Sequence, residues 1–213
     1  MSSAESIPQP VVSQRGEPVW ELARLFPPQG DWTEEAYFAI ESTRLVELVD
    51  GCLEFLTMPT KFHQRIVQFL CSLIAQFIRG DAGGEVFFAP LPLRLWPGRI
   101  REPDIVYLSA SRNADDEDYP QTADLVVEVV SKGAEARRRD LEQKQADYAQ
   151  AKIPEYWIVD PENRQITVLV LQGDAYQTHG VFGSDDVASS VLLKGFTLAV
   201  KLVWAAGGGK TAS

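Results

Sequence analysis

Residues 125–130 read LVVEVV, an almost unbroken apolar and β-branched run of strand length with a single acid, Glu128, inside it. A run of this kind suits a central strand covered on both faces, so the chain has to build a sheet with further layers on either side. Glu128 is then a buried carboxylate. Burying its charge is expensive unless a cation, a metal ion or a hydrogen-bond network compensates it. The strand therefore fixes two things together: a covered sheet, and something that answers the charge of Glu128.

Two further acids pose the same question. Glu47 lies within LVELV, flanked by apolar residues, and Asp104 lies in REPDIVYL. If residues 104–108 and 124–128 pair antiparallel with a symmetric register, Asp104 falls opposite Glu128. Cross-strand partners have Cβ atoms about 4.5–5.5 Å apart, close enough to share one ion. Carboxylate oxygens suit a hard divalent ion, Mg²⁺ or Mn²⁺. The structural alternative for Glu47 and Glu128 is a buried salt bridge to an arginine such as Arg101 or Arg138.

Lys144 lies in RRRDLEQKQADYAQ, where steps of three and four put Leu141, Lys144 and Tyr148 on one helix face, directed at the sheet. Near a metal it would orient the attacking water or stabilise charge on a phosphate. The blander reading is a surface pair with Asp140. Lys132 competes for the same role from the end of the strand, but four residues of strand place it about 13 Å from Glu128. His63 opens a long helix, one position off its apolar stripe; it is read either as structural or as directed into the same cleft.

The rest of the chain frames these residues. Residues 1–30, rich in Pro, Gln and Ser, read as an irregular arm, residues 31–204 as one domain, and residues 205–213 as a flexible tail. Thr33 caps a short helix through Glu41. LVELVDGCLEFL is a hairpin turning at Asp50-Gly51. Residues 61–79 carry apolar residues at helical spacing and stop at Gly80. Strands are expected at 85–96, 101–108, 125–130, 156–159 and 165–171, an acidic loop at 110–119, and a second helix at about 135–150. This order predicts an α/β fold, a mixed central sheet flanked by helices.

Composition narrows the function. A formal net charge of −10 argues against non-specific coating of nucleic acid, because phosphate binding is largely electrostatic. A local basic surface remains open, with Arg94, Arg99, Arg101 and the run Arg137, Arg138 and Arg139 as candidates. Cys52 and Cys71 form no zinc spacing and read as small core residues. No apolar run approaches the roughly 18–20 residues that span a bilayer, and no secretory leader pattern opens the sequence, so a cytoplasmic protein with no membrane association is expected.

Taken together, VELVDG, FHQRIV, REPDIVYL, LVVEVVS, RRRDLEQKQADYAQAKIPEYWIVDP and LLKGFTLAV resemble the Uma family, a group assigned as restriction endonucleases within the PD-(D/E)XK nuclease superfamily. The similarity runs from about Asp31 to Trp204. It implies a restriction-endonuclease-like fold and Mg²⁺-dependent (or Mn²⁺-dependent) hydrolysis of DNA phosphodiesters. Residue by residue, Asp104 matches the first acid of the motif, Glu128 the second, and Glu47 the acid of the N-terminal hairpin. The superfamily's lysine position, two residues after the second acid, is Val130 here, which points to Lys144 on the following helix. Asp104 and Glu128 are the implied metal ligands, with Glu47, Lys144 and His63 around them. DNA is the implied partner, and a homodimer is compatible with cutting two strands. The rival readings are a nuclease acting on RNA and a binding or regulatory protein that kept the fold without catalysis.

Overall fold

The computed structural model describes residues 25–40, 42, 44–79, 83–113 and 118–208. The expected arm therefore lies largely outside the described residues, as do Glu41, Gly80 and the centre of the acidic loop. Chain entry is ordered by the hairpin: the Gln29 side chain brackets the backbone of Leu53 at 2.7 and 3.0 Å, and the Gly30 amide donates to the Gly51 carbonyl at 2.8 Å. Thr33 caps α1 (Glu34–Phe38) by accepting from the Ala36 amide.

β1 (Val46–Val49) and β2 (Cys52–Phe55) form the expected hairpin. Its turn has positive φ at both Asp50 (49°) and Gly51 (77°), as a type I′ turn requires. A Cβ on Gly51 would stand 2.3 Å from the Gly30 carbonyl oxygen, so only glycine fits there. α2 (Lys61–Phe77) is capped by Thr60.

The two long strands expected at 85–96 and 101–108 are each two strands. β3 (Glu85–Phe88) and β4 (Leu93–Trp96) part at Ala89-Pro90, and β5 (Arg99–Arg101) and β6 (Ile105–Leu108) part at Pro103. Proline has no amide to donate to a ladder, so the chain changes sheets at both points. One sheet is antiparallel, in the order β2-β1-β5-β4. The other has six strands, β10-β9-β8-β7-β6-β3, with β7 (Leu125–Val129) central, β8 (Glu155–Asp160), β9 (Gln165–Gln172) and β10 (Ala175–Phe182). The β7–β8 pairing is parallel and the rest of the sheet antiparallel, the mixed α/β architecture expected.

Alternation along β7 separates the layers. Leu125, Val127 and Val129 join Ile66, Leu70 and Ile74 of α2 in one core, which α5 (Val200–Gly207) completes with Val203 and Trp204. Val126 and Val130 face the other way, into a core with Tyr148, Tyr156 and Ile158. Glu128 shares their parity. Its layer is α3 (Ala134–Arg138), a π-helical turn over Arg139–Gln143, and α4 (Lys144–Gln150), where a continuous α-helix was expected. Ala205 to Gly207 are helical, so the chain stays ordered past the expected start of the tail; residues 209–213 lie outside the described residues.

A short two-stranded sheet, β11 (Val187–Ser189) and β12 (Thr197–Ala199), is anchored by Glu155. This buried carboxylate accepts from Trp157 Nε1 and Ser190 Oγ at 2.6 Å and from the amides of Val191 and Leu192 at 2.8 Å. Glu155→Gln replaces an acceptor with a donor in that ring and is expected to destabilise the fold by about 2 kcal/mol. Urea unfolding checks it; a midpoint unchanged from the wild type would remove Glu155 as the anchor.

Candidate active site

The sheet switch at Pro103 and the end of β7 meet at one point. Ile105 pairs with Val127, Val106 with Val126 and Tyr107 with Leu125, so one further step of the same register sets Asp104 against Glu128. Asp104 caps the end of β7: its Oδ2 accepts from the Val129 amide at 2.7 Å. Its Oδ1 lies 2.8 Å from Nε2 of His63, the third residue of α2. Burial alone would lower the His63 pKa. The hydrogen bond and charge of Asp104, with the charges of Glu128 and Asp140, outweigh burial and raise it, favouring an imidazolium that donates to Asp104.

Glu128 is answered by a lysine and not by an arginine. Its Oε1 accepts from Lys144 Nζ at 2.7 Å and from the Tyr148 hydroxyl at 2.6 Å. Both bonds fall on Oε1, and Oε2 has no protein donor among the described residues. Lys144 is 1% exposed, and its Nζ also lies 3.0 Å from Glu47 Oε1 and 4.0 Å from Asp140 Oδ1. Burial would strip its proton, but Glu128, Glu47 and Asp140 hold the ammonium form and raise its pKa. The Asp140–Lys144 pair is thus buried inside the cluster and not on the surface. Lys132 is exposed and takes no part in the cluster.

Glu47 has the arginine partner that the sequence left open. Its Oε2 accepts from Arg101 Nη1 at 2.7 Å and its Oε1 from the Glu102 amide at 3.0 Å. Burial would raise its pKa, yet Lys144 and Arg101 hold it down to about 2. Arg101 itself is 1% exposed and also binds Asp147 at 2.7 Å, which removes it from the candidates for a basic surface. Arg94, Arg99, Arg137 and Arg139 are likewise tied to carboxylates, through Glu34, Asp50, Asp160 and Asp140. Cys52 and Cys71 are free and half-buried, on the margins of the core.

Three residues belong to the site that the sequence reading does not assign to it. Glu102 accepts from the Val46 amide at 3.1 Å, and burial together with the charge of Glu47 pushes its pKa up to about 7. Asp140 is buried within the π-helical turn, with its carbonyl accepting from the Tyr156 hydroxyl at 2.7 Å. Such turns recur at functional sites. Tyr148 could have been anticipated, since it shares the face of Lys144 and a buried phenol needs a partner.

These groups line a cavity of about 20 Å³, walled by His63, Glu102, Asp104, Glu128, Asp140 and Lys144. That is room for roughly one water-sized occupant. Beside His63, Lys144 and Arg139 are the basic side chains of this wall, against four carboxylates: burial and, against the pull of Lys144, the charges of Asp104, Asp140 and Glu47 push Glu128 up to about 8, and Asp140 is raised as well. A wider cleft of about 870 Å³ shares Thr57, Pro59, His63, Val129 and Ser131 with it and adds Lys132 on its rim. Among the described residues no group of three or more His, Cys, Asp or Glu side chains is arranged to hold a metal ion. The carboxylates that line the cavity are those of Glu102, Asp104, Glu128 and Asp140. Two carboxylates suffice for Mg²⁺, which keeps several of its waters and takes the remaining ligands from a phosphate.

The model of the Uma2 family, described as "Putative restriction endonuclease", matches residues 34–201. The chain belongs to the Uma2 family. A solved structure with the same fold is described as "a putative nuclease belonging to DUF820 from Anabaena variabilis ATCC 29413"; it superposes with a TM-score of 0.69 over 82% of this chain and 98% of that one, at 17% sequence identity. Among curated proteins none matches the chain. The Uma2 match spans the hairpin that carries Glu47, the strands that carry Asp104 and Glu128, and the helix that carries Lys144. The fold is thus the one shared with that structure, and no described helix is long and apolar enough to cross a membrane.

Proposed function

We propose that this Uma2 protein is a metal-dependent endonuclease that hydrolyses DNA phosphodiester bonds, with Asp104 and Glu128 holding Mg²⁺ or Mn²⁺. The observation that carries the reading is the convergence of these two carboxylates, from paired strands, on a cavity of one-ion size with an ammonium group beside them. When bound, the ion supplies Lewis-acid polarisation of the phosphate and a lowered pKa for bound water.

The protein's own groups divide the remaining work. Glu47, pinned by Arg101, holds Lys144 in place, and Lys144 supplies fixed positive charge beside the reacting phosphate. Tyr148 fixes the rotamer of Glu128, and His63 that of Asp104. The adjoining cleft admits the strand. Activity in the cytoplasm, and on two strands through a homodimer, belongs to the same reading. One observation favours the alternative of a binding or regulatory protein without catalysis: Glu128 Oε1 and both Asp104 oxygens already have protein partners.

The test is incubation of the purified protein with plasmid, linear and single-stranded DNA and with RNA, in Mg²⁺, Mn²⁺ or EDTA. Metal-dependent DNA cleavage is expected. No cleavage of any substrate would favour the non-catalytic alternative, and cleavage of RNA alone would change the substrate. Lys132→Ala is expected to keep activity within about threefold of wild type, because an exposed rim lysine acts through a screened charge. Loss of activity in that variant, with Lys144→Ala active, would move the lysine role to the strand end.

A further inference from the structure

The outward face of α2 differs from the rest of this acidic protein. Residues 61–79 contain no Asp or Glu, although the chain has 30. Lys61, Arg65, Gln68, Ser72, Gln76 and Arg79 are all exposed and follow one another at steps of three and four, a single stripe along the helix. At 1.5 Å per residue the stripe is about 27 Å long. It borders a surface depression of about 760 Å³ whose walls include no carboxylate.

The cations of this stripe are uncommitted. Arg94, Arg99, Arg112, Arg137, Arg139 and Lys152 each pair with a carboxylate, whereas among the described residues Lys61, Arg65 and Arg79 pair with none, as do Arg44, Lys132, Arg138, Arg164, Lys194 and Lys201; what sets the three apart is their place on one helix face that carries no carboxylate. Gln64, Gln68 and Gln76 add neutral amide donors of the kind that bind phosphate oxygens. The stripe starts at the N-terminal end of the helix that carries His63, which holds Asp104; Lys61 and His63 face opposite sides of that helix, so a backbone on the stripe reaches the site around the helix end. A second copy of the chain fits this face poorly, because a two-fold contact would set the three cations against their own images. A polyanion fits it.

We propose that this face of α2 is the track along which the phosphate backbone of duplex DNA lies, over about eight base pairs at 3.4 Å each, leading one strand to the Asp104–Glu128 site. This rests on the nuclease reading for the identity of the polyanion. Each phosphate contact contributes about 0.9 to the slope of log K against log salt.

The experiment is fluorescence anisotropy of a short labelled DNA duplex with the full chain in EDTA, from about 50 to 200 mM salt. It compares wild type with the triple variant Lys61→Gln, Arg65→Gln, Arg79→Gln, whose fold is checked by thermal unfolding. The variant is expected to lose about 3 from the salt slope and to bind about ten- to fiftyfold more weakly at low salt. Equal affinity and slope in the two proteins would overturn the track, as would failure of the wild type to bind duplex, or a shift of self-association in the variant on sedimentation. Cleavage measured alongside separates the two ideas. Metal-dependent cutting with unchanged binding in the triple variant leaves the nuclease and removes the track. Weakened binding by a wild-type protein that cuts nothing leaves the track on a non-catalytic DNA-binding protein.

Discussion

Lys144→Ala is expected to destabilise the protein by about 3–5 kcal/mol and to abolish DNA nicking. Lys144 is 1% exposed and its ammonium group bonds two carboxylates, those of Glu47 (0% exposed) and Glu128 (4% exposed). Truncation leaves both buried with less compensation. Glu47 keeps Arg101, so the larger part of the loss falls on Glu128, which keeps only the Tyr148 hydroxyl. The double variant Lys144→Ala, Glu128→Gln should therefore recover part of the lost stability, because the uncompensated charge is gone, while nicking stays absent. Denaturant unfolding of the four proteins of this cycle gives the coupling directly. A loss under about 1 kcal/mol for Lys144→Ala, or simple additivity in the double variant, would show that the ammonium does not hold this cluster together.

Glu128→Gln is expected to separate stability from activity. The amide keeps the shape of the side chain and can still accept from Tyr148 and lie beside Lys144. Burial and the neighbouring carboxylates already work against the charge of Glu128, so a neutral side chain of the same shape is no harder to bury there. Stability should stay within about 1 kcal/mol of wild type. Nicking should fall about a thousandfold or more, the equivalent of ~4 kcal/mol of barrier, because the position loses the negative charge that holds the ion. A variant that cuts DNA at the wild-type rate would take Glu128 out of the reaction.

Much of this architecture is legible in the sequence because it rests on local rules. LVVEVV announces a central strand, Asp50-Gly51 a type I′ hairpin, and Phe62, Ile66, Phe69 and Leu73 a helix against a sheet. The pairing of Ile105 with Val127 follows the symmetric register that places Asp104 by Glu128. Steps of three and four aim Lys144 at the sheet, where its Nζ reaches Glu128. What escaped depends on contacts between distant segments. Pro90 and Pro103 sit inside runs with strand composition, and only the completed fold shows that the flanking halves join different sheets. Arg101 reads either as a surface cation or as the buried partner of Glu47 or Glu128, and only the fold decides between them by placing it among Glu47, Glu54 and Asp147, which approach from other elements. Asp140 is buried within a π-helical turn at Arg139–Gln143, and no apolar periodicity encodes that turn.

The central claim is that Asp104 and Glu128 together hold one divalent ion. It is tested most directly by titrating the protein with Mn²⁺ and following the free ion by electron paramagnetic resonance, for wild type, Asp104→Asn and Glu128→Gln. Wild type is expected to bind one Mn²⁺ per chain in competition with Mg²⁺, and each variant to lose that site while keeping its fold. Binding that persists unchanged in both variants, or a wild type that takes up no Mn²⁺, would contradict the account.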